Sequence, residues 1–188
     1  MRVKRMRESD VKKFKIGDQI QLGKYTATAV KKVGSCAIFL MDQYLDKLMR
    51  RDTLDFIKLA NMPIFDPVRE KMVPFADDIL VRIPYIGEMF GPEIRVYYEP
   101  DFPDNNKKDW WSEQWECMKD RRNRTICQID GDYVYGWLMN QIHRELHVSK
   151  KTVTGHTNFA FVNASGNSWS NPGHREYGIR LVFQLRDE

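Results

Sequence analysis

The chain has 188 residues, 42% of them hydrophobic, which is enough for one substantial core, since a domain of this length removes roughly 70% of its unfolded surface from water. The formal charge of +4 is local: residues 1 to 15 carry seven Lys or Arg against two acids, leaving residues 16 to 188 at −1. The body is therefore not a basic nucleic-acid surface, and no apolar run approaches the roughly 18 residues that cross a bilayer.

Residues 1 to 13 read as a basic arm and residues 14 to 188 as a single domain. After the arm, KIGDQIQLGKYTATAVKKVGSCAIFLMDQYL shows β-branched and aromatic runs punctuated by Gly17, Gly23 and Gly34, the pattern of an antiparallel meander. KLMRRDTLDFIKLANM spaces Leu48, Leu54, Phe56, Ile57, Leu59 and Ala60 as a helix, with Asp52 or Thr53 as N-cap and Pro63 ending it. In PIFDPVREKMVPFADDILVRIPYIGEMFG the prolines enforce turns, around a short strand at ILVRI and a helical turn at YIGEMF. Residues 99 to 114 are polar, contain proline and lack periodicity, so they read as a long loop. DYVYGWLMN reads as a strand, IHRELHVSKKT as a short helix or an extended loop, and TNFAFVNA and YGIRLVFQL as the last two strands. Between those strands, residues 163 to 177 are a loop-prone run of Asn, Ser, Gly, His and Arg.

Several residues carry candidate chemistry. His143 and His147 lie four apart, with Glu145 between; a helix would put both imidazoles on one face, but no third metal ligand accompanies them, and they read as exposed histidines. The three cysteines, Cys36, Cys117 and Cys127, have no metal-ligand spacing, and their odd number speaks against a secreted disulfide framework. Cys36, inside CAIFL, reads as core. Cys117 precedes the cationic run MKDRR, which would lower its pKa if folded nearby; the alternative is a structural thiol. The run MKDRRNR is either an anion site or a surface strand whose arginines pair with Asp120, and the second reading is the expected one. Trp137 reads as core, whereas Trp110, Trp111 and Trp169 fall in loops, where they stack on a sugar or peptide or anchor the loop. No phosphate loop, dinucleotide fingerprint or nucleophile elbow is present, so no enzyme is expected. The N-terminus lacks the apolar core of a signal peptide, so synthesis in the cytoplasm is expected.

The order of IQLGKYTATAV, VRIPYIGEMFG, CMKDRRNR, YGWLMN and FVNASGN...YGIRLVFQL resembles a bacterial and phage family of C-type-lectin-like fold, akin to the formylglycine-generating enzymes and phage tropism determinants. The resemblance covers about residues 14 to 185. It implies an α+β fold: one C-type-lectin-like domain with antiparallel sheets, one or two helices and long loops. SGNSWSNPGHREYGIR has none of the cysteines of the enzyme branch, and EPD at 99 to 101 is similar to a calcium-lectin triplet without the Trp-Asn-Asp that completes it. Neither oxidase chemistry nor calcium is implied, and no cofactor is expected.

In that fold the loop before the last strand lies on a ligand face, with the flanking strands held in a sheet. The resemblance therefore implies a glycan or protein ligand, in a phage or prophage setting. Its binding residues would be Asn163, Ser165, Asn167, Ser168, Trp169, Ser170, Asn171, His174, Arg175 and Tyr177, helped by Trp110 and Trp111. Such a mix gives adaptable hydrogen bonds around aromatic anchors. The alternatives are a polar turn without ligand, or an oligomeric virion or tail accessory subunit that docks through the arm and the long loop.

Overall fold

The computed structural model describes residues 13–91, 113–127, 133–148 and 153–187. The fold is α+β, mostly antiparallel sheet with two short helices. The expected meander is there: β1 (Gln19–Leu22), β2 (Tyr25–Val33) and β3 (Cys36–Met41) are joined by two-residue hairpins. Gly23 and Gly34 open those hairpins at φ +61° and +57°, a conformation that side chains with a Cβ rarely adopt.

β3 is apolar throughout and buried on both faces, as a central strand should be. β12 (Val182–Arg186) pairs antiparallel with it, and β5 (Val81–Arg82) flanks β12, giving the order β1-β2-β3-β12-β5. The last strand thus lies against the first meander. A second sheet holds β10 (Ser168–Pro172), β9 (Val153–Val162) and β8 (Gly136–Val148), in that order. The two strands that flank the polar segment, β9 and β12, therefore belong to different sheets and not to one.

Strand alternation distributes the apolar residues between two cores. One face of β2, β3 and β12 sends Ala27, Ala29, Phe39 and Phe183 into a cluster with Phe65, Trp137 and Phe161; the other sends Ile38, Leu40 and Val182 toward Phe90, Trp115 and Leu138. Phe183 stacks on Phe39 at 5.7 Å and meets the edge of Phe65 at 5.3 Å. Each such ring contributes about 2 kcal/mol by leaving water. The sheets are joined where Gly178 accepts from the Trp137 amide and donates to the Tyr135 carbonyl. Tyr44 packs on this junction so closely that a Cβ on Gly136 would fall 2.2 Å from its hydroxyl oxygen, and burial pushes the Tyr44 pKa up to about 12.

Three local expectations are corrected. The helix expected over 48 to 62 shrinks to α1 (Phe56–Ala60), capped by Asp55 rather than Asp52 or Thr53: the Asp55 carboxylate accepts from the Lys58 amide at 2.9 Å. Upstream of it, β4 (Met49–Arg50) pairs instead with β11 (Glu176–Tyr177), because a partner strand from far along the chain takes up its backbone groups. IHRELHVSKKT is neither helix nor loop as far as it is described; residues through Val148 continue β8, held by a long ladder to β9. MKDRRNR is not a strand but two 3₁₀ turns, Glu116–Lys119 and Arg121–Arg124. They lead into the small ladder of β6 (Ile126–Cys127) and β7 (Tyr133–Val134).

The strand at ILVRI and the helical turn at YIGEMF appear as β5 and α2 (Ile86–Phe90). They are locked together by Arg82, whose guanidinium grips the Glu88 carboxylate at 2.7 and 2.6 Å between the Phe75 and Tyr85 rings. Glu88 also accepts from the Tyr85 amide at 2.8 Å, closing the first turn of α2. Among the described residues no helix is long and apolar enough to cross a membrane.

Candidate functional site

The polar segment is more ordered than a loop. Asn163 starts a turn in which its side-chain oxygen accepts from the amides of Ser165 and Asn167 at 2.9 and 3.0 Å. Arg121 donates to the Ser165 carbonyl and packs its stem on Gly166, which sits at φ +72°. Asn163 and Asn167 thus build the turn. The chain then enters β10, where Ser168 is 1% exposed and so is withdrawn from any ligand, correcting its place in the expected site. Strand pairing rather than loop mobility dictates this, since Ser168 and Val162 are register partners and the side chains of Ser168 and Trp169 leave opposite faces.

Trp169 points the other way and remains 59% exposed. Its register partner is Phe161, which in turn pairs with Trp137, so the three share one face of the sheet. Tyr135, 40% exposed, stacks on Phe161 at 5.2 Å and meets Tyr177 edge-on at 5.3 Å. Tyr177 leans on Trp137 at 4.5 Å and its hydroxyl accepts from the Asn171 side-chain amide; burial raises its pKa. The result is an aromatic group in which Phe161 joins Tyr135 and Tyr177 by ring contact and Trp169 by strand register, with His174 and Arg175 exposed in the turn that follows β10. Ser165 is exposed at the tip of the neighbouring turn, and Ser170 is half-buried. Tyr135 is the member that the sequence reading missed; it sits between β7 and β8, two residues before Trp137.

A cleft of about 430 Å³ opens next to this region between β4 and α1. Its floor is Leu48, Leu54, Leu59 and Met62, and Arg50 and the β11 residue Glu176 stand at its rim.

The other candidates disperse. Trp110, Trp111, the EPD triplet and residues 1 to 12 of the basic arm lie outside the described residues. His143 and His147 stand on a strand, where four residues span about 13 Å of backbone rather than one helical turn. Among the described residues no three His, Cys, Asp or Glu side chains gather as metal ligands. The arginines of MKDRRNR do not converge. Arg121 serves Ser165; Arg122 pairs with Asp120 at 2.7 Å and holds that carboxyl down at about 2; Arg124 is buried over the Phe90 ring at 5.0 Å. Burial pushes the Cys117 thiol above its ordinary range, the Arg180 charge opposing, so the cationic run does not activate it.

Comparison with protein families, with curated proteins and with solved structures returned no match to this chain.

Proposed function

We propose that the chain is a non-enzymatic binding module of C-type-lectin-like type that captures a glycan through the aromatic group of β10 and its neighbours. The observation that carries this reading is Trp169, held on a paired strand yet 59% exposed, as the register partner of Phe161, on which the exposed Tyr135 stacks. An indole left in water forgoes the gain from burying its apolar area, about 25 cal/mol per Å², and a ligand recovers it. A sugar ring offers an apolar face to stack on such a platform and a hydroxyl edge for hydrogen bonds. Asn171, His174 and Arg175 supply the polar partners at the rim, and Tyr135 and Tyr177 are rigid anchors that lose little entropy on binding. A phage or prophage receptor-binding role fits the resemblance of the ordered motifs.

The test is a glycan array followed by titration of any hit. Trp169→Ala should weaken binding by about 1–3 kcal/mol, the value of a well-packed aromatic anchor, while the melting curve stays in place. Unchanged affinity in W169A would remove the platform from the reading. A hit only among surface proteins would move the ligand class from glycan to protein.

A further inference from the structure

A separate cavity of about 340 Å³, at the small end of the roughly 300–1,000 Å³ range of ligand pockets, lies on the other face of the meander. Its walls are Thr28, Leu40 and Asp42 on β2, β3 and the residue after, Cys117 and Asn123 on the 3₁₀ turns, and Arg180 from the segment before β12. Among the described residues three charged ones line it: Asp42, Arg180 and Arg122, and the last is already paired with Asp120 at 2.7 Å, which leaves one acid and one base of opposite sign without an ion pair.

Arg180 is 8% exposed, and burial lowers its pKa. Its Nε donates to the Met41 carbonyl at 2.7 Å and its Nη1 to the Asn123 carbonyl at 2.9 Å. No carboxylate lies within ion-pair distance of it among the described residues, and Nη2 has no protein acceptor yet is not sealed from solvent. A buried guanidinium with a spare donor at a cavity wall is costly unless an anion meets it. Also lining the cavity, Asp42 accepts from the hydroxyls of Thr28 and Thr26, both at 2.7 Å, which fixes the carboxylate in place.

From this geometry we infer that the cavity between the meander and the 3₁₀ turns binds a small zwitterion of the α-amino-acid class, its carboxylate on Arg180 Nη2 and its ammonium on Asp42. A simple anion would meet Arg180 but be repelled by Asp42; a simple cation would meet the reverse. Only a ligand carrying both charges satisfies both walls. Cys117 and Met118 line the cavity as well, beside the side chain of the bound molecule. Trp169 is not part of this wall, so the inference does not rest on the glycan reading.

The experiment titrates the full-length protein with glycine, L-serine, acetate and glycinamide by calorimetry, up to about 10 mM, the range in which weak small-molecule sites are seen. Iodoacetamide labelling of Cys117, read by peptide mass spectrometry, follows occupancy in parallel. Glycine or L-serine should bind at least about tenfold more tightly than acetate and glycinamide and slow the labelling of Cys117. Asp42→Asn, at the half-exposed wall, should abolish that preference, and Trp169→Ala should leave it intact. Arg180→Lys, which keeps the charge, should weaken binding in protein whose melting curve shows it folded. Absence of heat and of Cys117 protection with all four probes overturns the inference. So does equal binding of glycine and acetate, or a preference that survives Asp42→Asn.

Discussion

Two of the buried arginines, Arg82 and Arg180, stand in opposite situations. Arg82 is closed on every side: its guanidinium is bidentate to Glu88, sandwiched by two rings and donates to the Ile83 carbonyl at 3.1 Å. Arg180 is equally withdrawn from water but is met by two carbonyls, no carboxylate and a cavity. The same residue type at similar depth is in one place a lock and in the other a group with capacity to spare. What separates them is where an acid stands: six residues along the chain for Arg82, and across a cavity wall for Arg180.

The largest expected effect tests the lock. Glu88→Gln leaves Arg82 as an uncompensated buried charge and should cost about 3–5 kcal/mol in chemical denaturation. A double replacement of both partners by apolar residues should recover most of that loss, because it removes the desolvation cost with the pair. Next comes Arg180→Met. It strands the carbonyls of Met41 and Asn123 but also removes a buried charge, so the loss should be about 2 kcal/mol. A loss equal to that of Glu88→Gln would break the comparison, since Arg180 would then be as fully engaged as Arg82.

A pH measurement sharpens the same contrast without unfolding anything. Burial holds the Cys117 thiol above its ordinary value of 9.0, while Arg180 pulls the other way. The reactive thiolate is therefore scarce at neutral pH, and the labelling rate of Cys117 should keep rising as pH passes 9, where an unperturbed thiol begins to level. Arg180→Met removes the opposing charge and should displace that profile to still higher pH. A profile that levels below pH 8 would mean the thiol is activated instead. The smallest effect is that of Trp169→Ala on stability, within about 0.5 kcal/mol, as expected of an exposed side chain away from both arginines. A larger loss would show that Trp169 packs rather than presents.

How far the sequence could be read differs by element. The meander was legible because Gly23 and Gly34 punctuate β-branched runs, and such turn chemistry acts over a few residues. β5, α2 and the core role of Trp137 were legible for similar local reasons. The helix over 48 to 62 was over-read: its apolar spacing fits a helix, but Met49 and Arg50 found strand partners at Glu176 and Tyr177, more than a hundred residues away. The far half of β8 was missed because IHREL carries no alternation, and its strand state comes from the ladder to β9. At the candidate site, Trp169, His174 and Arg175 are exposed and Asn171 and Tyr177 half-buried, whereas Ser168 turned inward and Tyr135 was added by stacking on Phe161.

Taken alone, the residue order determined the antiparallel α+β class, the central apolar strand and the concentration of polar and aromatic groups before the last strand, because these depend on turn preferences and short-range alternation. Tertiary structure decided which face of β10 meets water, that the arginines of MKDRRNR separate, and that Arg180 and Asp42 share a cavity. Those outcomes turn on strand register and on contacts between segments far apart in the chain, and a one-residue change in register moves every side chain of a strand to the opposite face.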